Sequence, residues 1–513
     1  MEVIMAKGFL LGVDIGTYES KGVITTLEGE VVNIQVHPHT MQIPRQGWAE
    51  HDPEKDWWGD YCFLTKALLQ ATGIDPKEIL AVACSAIGPC MLPIDKEGNP
   101  LRMGVLYGVD TRATSEISEL EEKYGKKTLF EQTGNELSSQ AVGPKILWLK
   151  HNEPEIYKKA YKIIPATTFM TGRLTGRYVM DHLTASFYNP LYDYKNCCWS
   201  KEYCKGIIEP ERLPELGWGP DFIGKVTHAA AEQTGLAEGT PVMVGTVDAA
   251  AEAVSVGVVS PGQMMLMYGS TIFMYIIQDK PVIDDRLWAC RYVFDGTTAN
   301  AAGMATSGAL TRWFRDKLAP DLVKHEEQTG ENAYGILVKQ AGEIPAGSEG
   351  LVVLPYFSGE RTPINDPRAR GVYFGLTLAH TRAHLFRAAL EGIAYGVNHH
   401  FEIMREHDAE PREIVAVGGG TKNQLWLQAV SDTCNVVQRV PSVTVGASYG
   451  DCFLAGMGAG VSHTYHDIKQ WMNYVKTVTP DKQNHLIYEK YYKIYLELYE
   501  RNKDLMHQLY ELV

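Results

Sequence analysis

Short apolar runs alternate with amphipathic stretches of helical period along this chain, which predicts an α/β protein. The run Phe9-Leu-Leu-Gly-Val-Asp-Ile-Gly-Thr17 ends in Asp14, Gly16 and Thr17, and a second run over residues 22–26 follows at once. This is a strand, a tight turn of small residues and a second strand. Residues 263–277 repeat the plan, with Gly269-Ser270-Thr271 between two apolar runs. Only the turns and their apolar flanks match. Two such hairpins half a chain apart predict two related lobes, each offering a turn to one end of a polyphosphate.

The pattern between the hairpins places the other elements. Residues 9–37 read as a meander of strands, and 79–87 as a strand before a loop that runs to Arg112. Residues 145–150 and 157–160 read as helical, and 241–247 as a buried strand ending at Asp248. A short helix over 249–256 and a glycine-bounded link over 257–262 follow. The lobe boundary falls there, giving an N-terminal domain 1–257 and a C-terminal domain 258–513. In the second lobe, 352–354 and 414–417 read as strands, and 381–400 and 484–512 as long helices. The stripe Tyr488, Tyr491, Tyr495, Leu498 and Tyr499 on the last helix reads as packing.

Composition removes several function classes. At 513 residues and 45% hydrophobic, the chain fills two or three domains with ample cores. A net charge of −14 argues against nucleic-acid or anionic-membrane binding, so a polyanion must meet local cations and backbone dipoles. No apolar stretch reaches membrane-spanning length, and the N-terminus has no signal-peptide pattern; Met5 is an alternative start to Met1. The nine Cys include no Cys-x-x-Cys pair, and Cys197, Cys198 and Cys204 lack His partners at zinc spacing, so reduced thiols are expected rather than a metal site. These features predict a cytoplasmic protein.

The candidate chemistry sits at the turns. Asp14 places a carboxylate at the mouth of the first turn, where a magnesium ion would sit. The turn's free N–H groups, with Lys21, would hold phosphate oxygens. No Gly-x-x-x-x-Gly-Lys-Ser/Thr loop occurs. Asp248, at a strand end and the N-cap of the next helix, reads equally as a capping residue and as a general base. A helix N-terminus favours its ionised form. Gly418, Gly419 and Gly420 leave bare backbone for a flat base, with Asn423 and Gln428 as hydrogen-bonding groups and Asp432 as a surface residue. Gly303 and Gly308 read as a close-approach segment, and Glu360 with Arg361 as an ion pair bracing a cleft. Asp110 and Arg112 form a polar loop pair, either a surface salt bridge or a recogniser of hydroxyls.

Taken in order, these pieces resemble the FGGY family of carbohydrate kinases, within the actin-like ATPase superfamily. The matching segments are Asp14-Ile-Gly-Thr17, Trp48-Ala-Glu-His-Asp-Pro53, Asp110-Thr-Arg112, Lys145-Ile-Leu-Trp148 and Gly245-Thr-Val-Asp248. Gly359-Glu-Arg-Thr-Pro363, Gly371-Val-Tyr-Phe-Gly375, the segment from His384 to Glu391, and Gly418-Gly-Gly-Thr-Lys-Asn423 complete the set. The resemblance implies two ribonuclease-H-like domains with ATP and a sugar in a central cleft. It implies Asp248 as the base that deprotonates a sugar hydroxyl and Asp14 as the residue orienting Mg2+. Gly16, Thr17, Gly269, Ser270 and Thr271 would contact phosphates, and Gly308, Gly419, Gly420 and Asn423 would line the nucleoside site. Dimers are common in the family, so a homodimer is one open arrangement, and the sequence itself leaves the oligomeric state unread.

The sugar side departs from the family pattern. Members acting on xylulose, which this chain otherwise resembles most, carry Gln-Met-His-Gly where it has Ser85-Ala-Ile-Gly-Pro-Cys-Met91. Glycerol kinases carry Arg-Glu there. Gly88, Pro89, Asp110, Arg112 and Asp248 are the expected acceptor contacts. Ala249 follows the base where relatives often carry Asn or Gln, and the second turn reads Gly-Ser-Thr rather than Gly-Thr-Ser. A pocket with fewer polar groups fits an acceptor with fewer or differently placed hydroxyls. A pentulose such as xylulose leads, with ribulose, a hexulose, a sugar acid or a short polyol as alternatives. A non-catalytic nucleotide sensor is the reading from another class, opposed by the presence of both Asp14 and Asp248.

Overall fold

The computed structural model describes residues 8–512, so the choice between Met1 and Met5 lies outside the described residues. Two seven-stranded sheets form the frame. In the first, β1 (Phe9–Ile15), β2 (Glu19–Thr26) and β3 (Val31–Pro38) form an antiparallel meander, and β4 (Ile79–Ala86) lies parallel to β1. Beyond β4 stand β5 (Phe222–Lys225) and β6 (Pro241–Met243), in the sheet order β5-β6-β4-β1-β2-β3, while β7 (Thr246–Val247) pairs with β4 alone.

The second sheet repeats the scheme. The hairpin β8 (Gln263–Tyr268) and β9 (Ile272–Gln278) is flanked by β10 (Trp288–Arg291) and β11 (Thr298–Met304) on one side. On the other stand β12 (Glu413–Val417), β13 (Val437–Pro441) and β14 (Tyr474–Val478). In both sheets the first hairpin strand is central, antiparallel to its partner and parallel to a later strand. Each sheet ends on an antiparallel edge strand. This is the ribonuclease-H-like arrangement used twice, and the whole is the two-domain actin-like ATPase fold.

Helices cover the sheets. Tyr61, Leu64 and Leu68 of α1 (Asp60–Thr72) pack on Leu11, Val13, Ile15 and Ile24 of the first hairpin. Asp248 opens α2 (Asp248–Ser255), and α3 (Gly308–Leu318) follows β11. The expected long helix is α4 (Arg382–Glu406), entered through a Thr381–His384 capping box. Next come α5 (Gln424–Cys434), α6 (Ala447–Gly458) and α7 (Lys482–Glu511). The tyrosine stripe of α7 is packing: Tyr488, Tyr495 and Tyr499 are buried, with the Tyr495 hydroxyl 2.7 Å from that of Tyr356. Among the described residues no helix is long and apolar enough to cross a membrane.

Although α6 lies between β13 and β14 of the second sheet in sequence, it packs on the first. Its backbone comes so near β1 that a Cβ on Gly12 would lie 2.0 Å from the Ser448 carbonyl oxygen. The cluster around α6 joins Leu10 and Val23 of one sheet to Met265 and Val415 of the other. Both hairpins therefore open onto one cleft.

Two expectations need correction here. Residues 241–247 are not one strand: the chain breaks between β6 and β7, where Gly245 takes a left-handed φ of +74°. Asp432 is not a surface residue but fully buried, accepting hydrogen bonds from Gln428, Asn484 and the Asp481 amide. Gln428 is committed to this contact and to the Thr479 carbonyl, so it does not serve the nucleotide pocket.

Candidate active site

Two cavities flank the hairpins. The first, about 630 Å³, is lined by Gly269 and Ser270 of the second turn, Gly308 and Arg312 of α3, Gly419, Gly420 and Asn423, with Tyr268 and Trp426 behind. Its glycines leave part of the wall as bare backbone. A Cβ on Gly308 would lie 2.4 Å from the Gly269 carbonyl, and the Gly308 amide donates to that oxygen at 3.0 Å, so the start of α3 rests directly on the turn. Asn423 accepts from the Trp426 amide and thereby caps α5 at the rim. A shelf of glycines beside an aromatic floor fits a nucleoside.

The second cavity, about 420 Å³, lies between the hairpins. Asp14, Gly88, Pro89, Asp248, Glu252 and Thr271 line it, together with Tyr107, Gln140, Phe187, Phe273, Trp288 and Arg361. Asp14, next to the last residue of β1, lies directly opposite Ser85 of β4. The Ser85 hydroxyl lies 3.1 Å from Asp14 and 2.7 Å from Asp451 of α6. Asp248 begins α2 and accepts the Ala249 amide at 2.7 Å through its own Oδ1. It stands at the first helical position rather than at the N-cap, which is Val247. Among the described residues no three His, Cys, Asp or Glu side chains form a metal cage. Asp14 would instead supply one hard oxygen ligand, the donor type that suits a magnesium ion whose remaining ligands are phosphate and water.

The carboxylates crowd one another. Loss of solvent, augmented by Glu252 and opposed by the Ala249 amide, raises the Asp248 pKa to about 7. This corrects the expectation of a strongly ionised Asp: the helix amide is outweighed. Burial and the Asp248 charge push Asp14 well above the carboxylate range. Burial and Asp14 do the same to Asp451, whose Oδ1 has no hydrogen-bond partner. A carboxyl whose pKa rises on folding stabilises the fold at low pH and loses that contribution as pH climbs through the raised value. Asp451→Asn, which keeps an acceptor for Ser85 without the charge, is therefore expected to raise Tm at pH 8 and to change it little at pH 5. Equal shifts at both pH values, read by thermal melts, would show that Asp451 carries no pH-linked cost.

Several expected contacts stand elsewhere. Lys21 lines neither cavity; its ammonium donates to the Val445 carbonyl at 3.1 Å and so braces the segment entering α6. Asp110 and Arg112 are buried behind the acceptor wall in a bidentate pair, with the guanidinium 4.0 Å from the Trp48 ring centroid and 5.0 Å from that of Trp148. They are not a surface bridge, and neither is among the residues lining the cavity. Glu360 does not pair with the Arg361 guanidinium: one of its oxygens accepts the Ala305 and Arg361 amides. Gly16 and Thr17 form the first turn, where the Thr17 hydroxyl lies 3.3 Å from that of Tyr107. Tyr107, Gln140, Phe187, Phe273, Trp288 and Asp451 were not foreseen. Only Asp451 carries a sequence signal, a lone acid inside the small and apolar run from Ala447 to Ala455.

Fold and site together define a class, a two-lobed kinase with a nucleotide shelf on one lobe and a carboxylate-lined acceptor pocket facing it. The chain belongs to the FGGY family of carbohydrate kinases, whose N-terminal domain matches residues 9–255 and whose C-terminal domain matches 264–459. It is 26% identical to a xylulose kinase of Staphylococcus xylosus over 96% of this chain and 100% of that one. Identity to a gluconokinase of Bacillus subtilis is also 26%, over 96% and 95%. The crystal structure of a xylulose kinase from Rhodospirillum rubrum superposes with a TM-score of 0.90 at 28% identity, covering 97% of this chain and all of that one. The chain is thus a carbohydrate kinase that uses ATP.

Proposed function

We propose that this kinase transfers the γ-phosphoryl group of Mg-ATP to a hydroxyl of a pentulose, with xylulose as the first choice. The observation that carries this reading is that Asp248 lines the same cavity as Asp14 of the first hairpin and Thr271 of the second. Asp248 accepts the proton of the attacking hydroxyl, and the loose transition state of phosphoryl transfer asks of a base mainly that it be well placed. The turns Gly16-Thr17 and Gly269-Ser270-Thr271 offer backbone amides and hydroxyls to the phosphates. Asp14 would hold the magnesium ion, which neutralises phosphate charge. Phe187, Phe273 and Trp288 close the acceptor side against water that would otherwise compete for the phosphoryl group. The xylulose kinases among the relatives support the pentulose.

A sugar acid is the second reading, favoured by Arg361. Its guanidinium lines the acceptor cavity and has no hydrogen bond or ion pair among the described residues, so a substrate carboxylate would find a partner there. The gluconokinase relative points the same way. Coupled ADP release over a panel of ketoses, aldoses, polyols and sugar acids decides between them. Strong stimulation by xylulose or ribulose is expected. Stimulation by gluconate alone would establish the second reading, and equal low release with every sugar would overturn both.

A further inference from the structure

The first hairpin is held from behind by two histidines whose hydrogen-bond partners dictate opposite protonation states. His39 Nδ1 lies 2.8 Å from Asp60 Oδ2, and its Nε2 lies 3.0 Å from the Gly16 carbonyl oxygen. A carbonyl can only accept, and the Asp60 carboxylate also accepts from the Ser20 hydroxyl, so both ring nitrogens of His39 must carry protons. His51 is the reverse. Its Nε2 donates to the Thr17 carbonyl at 3.1 Å, while its Nδ1 accepts the Trp57 indole N–H at 3.1 Å. An indole only donates, so His51 is fixed as the neutral Nε2–H tautomer. The two rings meet edge-on with centroids 4.9 Å apart. The His39, His51 and Asp60 side chains are all shut away from solvent.

The rest of the turn follows the same rule. Ile87 donates to the Ile15 carbonyl, the His39 amide to the Tyr18 carbonyl, and the Gly16 amide to the Glu19 carbonyl. Each carbonyl from Ile15 to Glu19 thus has a donor. Among the described residues the Thr17 and Tyr18 amides have no acceptor. In a trans peptide the amide points opposite to the carbonyl of the preceding residue. Pinning the Gly16 and Thr17 carbonyls backward therefore turns the Thr17 and Tyr18 amides away from the histidines.

We propose that His39 and His51 are positioning residues for the nucleotide phosphates: they clamp the Gly16 and Thr17 carbonyls, aim the next two amides, and set an imidazolium charge behind the turn. The inference rests on the proposed role of this hairpin in binding phosphate. The groups facing His39 are Asp60 of α1, Asp56 just before it, and His37 and His51. Burial works against the charge on His39, but the Asp60 bond and charge with the Gly16 carbonyl outweigh it and hold the pKa above the ordinary histidine range. For His51, burial and the His39 charge lower the pKa to about 4. As pH rises through the raised His39 value, one of its two bonds is lost and the turn loosens.

The test has two arms on the full-length protein. In the first, NMR of ring-labelled histidine should show His39 protonated at pH 7 and His51 as the neutral Nε2–H tautomer down to about pH 5. A neutral His39 at pH 7 would overturn the proposal without any variant. In the second, ATP binding and turnover are followed from pH 6 to 9. His39→Gln, which keeps one donor but no charge, should raise the Kd and KM for ATP about tenfold, keep kcat within about threefold, and remove the weakening of ATP binding at high pH. Wild-type affinity and pH dependence in a folded His39→Gln protein would sink the inference while leaving the kinase reading intact. Failure of the wild-type protein to bind ATP would sink both.

Discussion

Asp248→Asn is expected to lower turnover by about 10²–10⁴-fold while leaving ATP affinity nearly unchanged. The split follows from geometry. Asp248 lines the cavity between the hairpins and is absent from the wall of the glycine-lined one, so its loss removes the proposed proton acceptor and no residue of the glycine-lined cavity. A pH signature accompanies it. With its pKa raised to about 7, a growing share of Asp248 is protonated below neutrality and cannot act as a base. Wild-type kcat/KM for the sugar should therefore fall as pH drops below about 7, with a slope approaching one decade per pH unit, and this limb should vanish in Asp248→Asn. Bound magnesium and phosphate will move the midpoint but not the sign. Initial rates across pH 5–8 with saturating ATP, paired with nucleotide titrations, read both quantities. Turnover near the wild-type level would remove Asp248 from the role.

The contrast between Asp248 and Arg112 shows what a sequence makes legible here. The two hairpins could be read because each is a local event: apolar run, small turn, apolar run. Strand pairing confirms them residue for residue, with Asp14 opposite Lys21 and Tyr268 opposite Ile272. Asp248 was legible because strand end and helix start are also local. Whether a polar residue faces a cavity or a neighbouring ring is not local. Asp110 and Arg112 read as a loop pair, but Trp48 and Trp148 arrive from other segments and stack on the guanidinium. The partner of Lys21 is hidden for the same reason, since Val445 reaches it from the far end of the chain. Phe273 and Trp288 are invisible as lining residues of this cavity because they belong to the second lobe. The carboxylate crowding came into view only when α6 placed Asp451 against Ser85.

Gly245→Ala is expected to destabilise the first lobe by about 3–5 kcal/mol. Two costs add. The residue sits at φ +74°, where an L side chain is strained, and an added Cβ would lie 1.9 Å from the Cys84 carbonyl oxygen of β4. That oxygen belongs to a strand in the middle of the sheet and cannot retreat. The position matters because Gly245 breaks the strand into β6 and β7. Its amide bonds the Gly219 carbonyl at 3.0 Å, and Thr246 and Val247 then pair with Ser85 and Ala86. Three residues after the break, the chain delivers Asp248 to the cleft. A substitution that shifts the break thus displaces the proposed base as well as weakening the lobe, and the protein that remains folded should also turn over more slowly. Gly419→Ala provides the contrast for stability, because a Cβ there meets no atom within 4 Å. Urea titrations followed by tryptophan fluorescence should show a large fall in midpoint for Gly245→Ala and a change of no more than about 0.5 kcal/mol for Gly419→Ala. Equal midpoints for the two variants would mean that the first sheet can absorb the added methyl, and that the placement of Asp248 does not depend on this glycine.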